Sequence, residues 1–160
     1  MKALERTRTP TCPRGSGVVP KTKHLSILFV DDYEDTRLAY AAEAEAAGFR
    51  VEGARDGYEA LAKALLSLPD AVVAEAMLFG LDGFELTHRM KRNPRTRDIP
   101  VVLLTGIVLP NLAARACDAG CAAVLAKPCP FEALARTILR ILRVKGPTPK
   151  AHAPPRMQRG

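Results

Sequence analysis

The sequence has no Trp and only 5% aromatic residues, so a core built from it must be aliphatic and rich in Ala. It has no apolar run approaching the ~20 residues a helix needs to cross a bilayer. Its first residues, MKALERTRTPTCPRG, are basic but lack the apolar segment of a secretory signal. These absences point to the cytoplasm and away from a membrane. The four cysteines, Cys12, Cys117, Cys121 and Cys129, form no CxxC pair, and no His stands near them at metal-ligand spacing. They are expected to be small buried hydrophobes in a reducing compartment.

What is present fits one domain of ordinary size: 160 residues, 48% hydrophobic and 26% charged. The formal charge of +7 divides unevenly along the chain. Residues 1–24 carry six Lys or Arg against one Glu, and residues 145–160 carry four against no acid, which leaves the residues between them at net −2. A basic folded domain is therefore not encoded. The sequence predicts a disordered basic tail over 1–24, one domain over 25–144, and a disordered Pro-rich basic tail over 145–160. Nucleic acid is expected to be met only weakly, through those tails.

Within the domain, short apolar runs alternate with helical periodicity. Leu25–Val30 (LSILFV) reads as a strand buried on both faces. An Ala-rich helix follows from Glu34 to Ala47, stopped by Gly48. Phe49–Ala54 is a weaker, more polar strand, as expected of a sheet edge. Leu61, Ala64, Leu65 and Leu68 keep helical spacing until Pro69. The third strand, Ala71–Ala74, leads to a helix over about Gly83–Arg92, closed by Asn93 and Pro94. Pro100–Leu104 is a fourth buried strand. Pro110 suits the first turn of a helix ending at Ala119, with Gly120 as its stop. Ala122–Ala126 is the fifth strand, and Phe131, Leu134, Ile138 and Ile141 mark an amphipathic last helix.

Strands and helices alternating at this spacing argue for an α/β parallel sheet with helices on both faces. Such sheets gather their chemistry at the carboxyl ends of the strands. Asp31 and Asp32 stand there after the first strand, Glu75 after the third, Thr105 after the fourth and Lys127 after the fifth. Converging carboxylates favour a hard divalent cation such as Mg2+. A Thr hydroxyl and a compact Lys charge suit phosphoryl or carboxylate oxygens. Any one of these residues alone would pass for a helix cap or a solvent-facing Lys.

Several motifs stand in register: LFVDD, DGYEAL at 56–61, PDAVVAEAMLFGLDGFEL at 69–86, IPVVLLTG at 99–106 and AGCAAVLAKP at 119–128. Over residues 25–144 the chain resembles the receiver domain of bacterial two-component response regulators. The resemblance implies a flavodoxin-like (βα)5 doubly wound sheet of order 2-1-3-4-5, and a Lys127–Pro128 bond that is cis. It implies Mg2+ held at Asp31, Asp32, Glu75 and Met77, a phospho-acceptor at position 75, and phosphate contact and switching through Thr105, Lys127 and position 124. Implied partners are a histidine kinase or a downstream regulator, met through helix 4, strand 5 and helix 5.

The departures from that family matter as much as the matches. Glu75 stands where the family carries its acceptor Asp, Val124 where it usually has Tyr or Phe, and Phe79 where it commonly has Pro. After Thr105, the run Gly106–Pro110 is apolar where the family is small and polar. Its side chains are expected under the next helix, with exposure as a contact patch the alternative. The extra methylene of Glu75 moves its carboxylate outward by about 1.5 Å, toward Thr105 and Lys127. The expected function is a non-enzymatic, single-domain signalling regulator that binds a protein partner, with Glu75 paired to Lys127 and one state held. The alternatives are a conventional phosphorylatable receiver and an Mg2+-dependent phosphohydrolase, the latter lacking a general acid beyond the receiver set. His24, His88 and His152 fall on no two-helix face that would suit a phosphorelay histidine.

Overall fold

A computed structural model describes residues 25–145; the tails expected at 1–24 and over nearly all of 145–160 lie outside the described residues. Five strands, β1 (Ser26–Val30), β2 (Arg50–Ala54), β3 (Ala71–Ala74), β4 (Val101–Thr105) and β5 (Ala123–Ala126), alternate with five helices. The helices are α1 (Glu34–Ala46), α2 (Gly57–Ser67), α3 (Gly83–Arg92), α4 (Leu112–Ala119) and α5 (Phe131–Lys145). All strand pairs are parallel, in the order β2-β1-β3-β4-β5. The polar strand β2 is at an edge, as its composition required, and β1, β3 and β4 fill the centre.

Alternation along each strand splits the core into two layers. Leu28, Val30, Val72, Val101 and Leu103 face the side covered by α2, α3 and α4. Ile27, Phe29, Val73, Val102 and Leu104 face the side covered by α5 and the buried Ala44 of α1. Each large aliphatic side chain buried this fully contributes about 1.5–3 kcal/mol relative to exposure.

Local chemistry sets the boundaries. The Asp56 carboxylate accepts from the Glu59 N–H at 2.8 Å to cap α2, and the Asp82 carboxylate accepts from the Glu85 N–H at 2.8 Å to cap α3. Gly120 closes α4 in the left-handed region at φ 91°, its N–H donating to Ala116 and Cys117 carbonyls. The start of α3 is crowded: a Cβ on Gly83 would lie 2.5 Å from the Glu75 carbonyl oxygen, so the helix begins directly against the strand end that carries Glu75.

Three sequence expectations are corrected. Helix α4 starts at Leu112, not Pro110, because Asn111 adopts a left-handed φ of 57° and Leu109–Leu112 forms a turn before the helix. The apolar run after Thr105 is not uniformly tucked away: Leu109 packs on the core, but Ile107 is 50% and Val108 92% exposed. Cys117, expected to be buried, is exposed because its position on α4 faces away from the core, Cys121 is half-buried, and Cys129 is buried but disulfide-bonded, not the reduced thiol expected.

Candidate functional site

Three strand ends are each prolonged by one further backbone hydrogen bond. The Asp31 N–H donates to Ala54 O at 3.1 Å, the Glu75 N–H to Val30 O at 2.9 Å, and the Lys127 N–H to Thr105 O at 2.9 Å. The backbone under each functional side chain is thus held by its neighbouring strand, and the three side chains converge at the carboxyl edge of the sheet.

There the Lys127 ammonium sits between two carboxylates. Its Nζ donates to Asp31 Oδ2 at 2.7 Å and to Glu75 Oε2 at 3.0 Å. Both carboxylates are 9% exposed in their side chains and Lys127 is 21% exposed. The remaining oxygens are also engaged. Asp31 Oδ1 accepts from the Tyr33 N–H at 2.9 Å, and Glu75 Oε1 accepts from the Ala76 N–H at 2.8 Å and, more weakly, the Met77 N–H at 3.4 Å. Burial alone would lower the Lys127 pKa, but hydrogen bonds to Asp31 and Glu75, and the fields of both, outweigh it and hold the ammonium above its ordinary range.

The other predicted site residues are placed differently. Thr105 is buried, but its Oγ1 turns back to accept from the Ile107 N–H at 3.2 Å. Asp32 is exposed, and Met77 is 41% exposed with its N–H turned to Glu75. Among the described residues no three carboxylate, His or Cys side chains are grouped to hold a metal. The set Asp31, Asp32, Glu75 and Met77 therefore does not fit Mg2+ in this arrangement, because a cation, Lys127, already stands between the two inner carboxylates. The Lys127–Pro128 bond is cis.

Val124 is half-buried on β5 and lines a cavity of about 320 Å³ with Thr105, Ile107, Leu109, Leu112 and the stem of Lys127. The cavity opens beside the bridge, between β5 and the β4–α4 loop. Two neighbours escaped the sequence reading. Arg37 Nη1 donates to the Asp31 carbonyl at 2.6 Å, and Tyr40 OH donates to the Cys129 carbonyl at 2.8 Å, tying α1 to the loop after Lys127. The Ala-rich pattern of α1 carried no signal for either beyond their polar tips. Tyr40 also stacks on Phe29, with ring centroids 5.9 Å apart.

Comparison with known proteins gives a consistent result. Residues 27–139 match the profile of the response regulator receiver domain. The gliding motility regulatory protein of Myxococcus xanthus is 37% identical over 123 residues, 76% of this chain and 16% of that protein. The DNA-binding dual master transcriptional regulator RpaA of Synechocystis is 32% identical over 125 residues, 78% of this chain and 52% of that protein. The chain thus spans about half of the latter relative and far less of the former. The chemotaxis protein CheY4 of Vibrio cholerae superposes with a TM-score of 0.70 at 29% identity, over 74% of this chain and 99% of that one.

Proposed function

The chain belongs to the response regulator receiver domain family, and from that premise we propose that it works as a pseudo-receiver, regulating a protein partner without accepting a phosphoryl group at Glu75. Receiver domains are signalling modules of two-component systems that interact with histidine kinases and downstream effectors. In this reading Glu75 occupies the acceptor position, and Asp31, Thr105, Lys127 and Val124 are the remaining positions of the signalling site.

The observation that carries it is the closed bridge Asp31–Lys127–Glu75, in which every oxygen of both carboxylates has a donor. A Glu75 oxygen that holds a Lys127 ammonium hydrogen bond is a poor nucleophile, and its reach differs by one C–C bond, about 1.5 Å, from that of an Asp. Val124 leaves open the space that a Tyr or Phe would fill, so no aromatic ring is available to report a movement of Thr105. The partner would meet the exposed Ile107 and Val108 beside that opening, at the border of α4 and β5.

The test is chemical. Wild type and Glu75→Asp are incubated with Mg2+ and acetyl phosphate and followed by intact mass. The expected result is one added phosphoryl group on Glu75→Asp and none on the wild type. Labelling of the wild type would restore the conventional, phosphorylatable reading.

A further inference from the structure

The end of the domain opposite the bridge has its own chemistry. Because the sheet is parallel, all five strands begin at one edge, and the α3–β4 loop must reach that edge to enter β4. That loop is tied down. Lys91 Nζ donates to the Arg97 and Ile99 carbonyls at 3.0 and 2.7 Å, Thr96 Oγ1 to the Met90 carbonyl at 2.8 Å, and the Arg95 N–H to Asn93 Oδ1 at 2.9 Å. The result is a fixed ridge on which Arg92, Arg95 and Arg97 are exposed.

The ridge stands out against the body that carries it. Residues 85–98 hold five Lys or Arg against Glu85 and Asp98, net +3, so the remainder of residues 25–144, which total −2, is net −5. On the other face of the sheet, α5 is about 22 Å long, enough to return from the carboxyl edge, and its last turns expose Arg140 and Arg143. The described body is entered at Leu25 and left at Lys145, both at this same edge. The flanking sequences, net +5 over 1–24 and +4 over 145–160, are therefore joined to the chain where the folded body is most basic.

The distribution of apolar side chains selects among anionic partners. Of the exposed large hydrophobics among the described residues, Tyr33, Tyr58, Met77, Phe79, Ile107 and Val108 lie toward the carboxyl edge, Leu38 lies part-way along α1, and Leu66 lies toward the amino edge. A protein interface wants an apolar or aromatic centre, adsorption to a membrane wants apolar insertion, and a single strand wants aromatic stacking platforms. A duplex backbone wants only spread cations.

We propose that the amino edge of the sheet, centred on Arg92, Arg95 and Arg97, docks the phosphate backbone of duplex nucleic acid without reading its sequence. The contact is independent of the Asp31–Lys127–Glu75 bridge and leaves the carboxyl edge free for a protein partner.

The full chain is titrated into a fluorescein-labelled duplex of about 20 base pairs, by anisotropy, between about 50 and 200 mM salt. The expected result is salt-sensitive binding, with Arg92→Glu/Arg95→Glu/Arg97→Glu at least ~10-fold weaker and its log–log salt slope shallower by about 3. Thermal melts verify folding of that variant, and the corresponding triple Gln variant replaces it if it melts early. Absence of wild-type binding at the lowest salt, or equal binding by the triple variant, overturns the proposal. So does equal or tighter binding to phosphatidylserine vesicles or to a poly-Glu peptide, which would make the edge a lipid or acidic-protein contact instead.

Discussion

Replacing Lys127 with methionine is expected to lower the unfolding free energy by about 3 kcal/mol at neutral pH, measured by urea denaturation. Methionine keeps much of the apolar stem packed beside Gly106 but removes the only cation hydrogen-bonded to Asp31 Oδ2 and Glu75 Oε2 among the described residues. Two carboxylates, each 9% exposed, then face one another with no counter-charge. An exposed pair would cost under about 1 kcal/mol, so a loss of that size would mean that solvent screens the bridge. The pH dependence carries a sign. A Lys pKa raised by folding gives stability that is complete below its ordinary value near 10.5 and lost as pH climbs through the higher folded value. The gap between wild type and Lys127→Met should therefore persist through neutral pH and narrow as pH climbs into strong alkali.

Because Gly57 is buried, Gly57→Ala should cost about 3 kcal/mol, although alanine at the start of a helix would normally help. A Cβ there would overlap the Leu81 carbonyl oxygen and lie 2.8 Å from the Leu81 Cβ. Leu81 is buried and precedes Asp82, the cap of α3, so neither side can give way without moving the loop that leads away from Glu75. Gly106→Ala is the control. Its Cβ would meet nothing nearer than 3.8 Å, and a change within about 0.5 kcal/mol is expected. If both substitutions are tolerated alike, the close contact of α2 with the Leu81 loop is not a constraint on the fold.

The residues explain why the fold was legible and parts of the site were not. Runs such as LSILFV and PVVLL are too short and too branched for helices, and α1 to α4 each carry a cap or stop that local chemistry dictates, so order and type of elements followed directly. Glu75, Lys127 and Asp31 were legible because they end strands, and a parallel sheet brings strand ends together. Where sequence reasoning failed, tertiary geometry decided. Asn111 takes a left-handed φ that delays α4, which Pro110 alone could not signal. Ile107 and Val108 are exposed because the turn before α4 carries them outward while Leu109 takes the inner position. The pairing of Glu75 with Lys127 was legible, but the metal set assembled from Asp31, Asp32, Glu75 and Met77 did not foresee that Asp31 would share the same ammonium. The hydrogen bonds of Arg37 and Tyr40 depend on how α1 lies across the sheet, which no periodicity encodes.

Whether Glu75 and Lys127 already fill the phosphoryl place is read most directly by amide NMR during titration with Mg2+ and beryllofluoride, a phosphoryl mimic. In the wild type, the amides of Ala76, Thr105, Ile107 and Lys127 should not shift, whereas in Glu75→Asp all four should. Saturable shifts of those amides in the wild type would show that the bridge opens to admit the anion, and would contradict a site held closed by its own carboxylate.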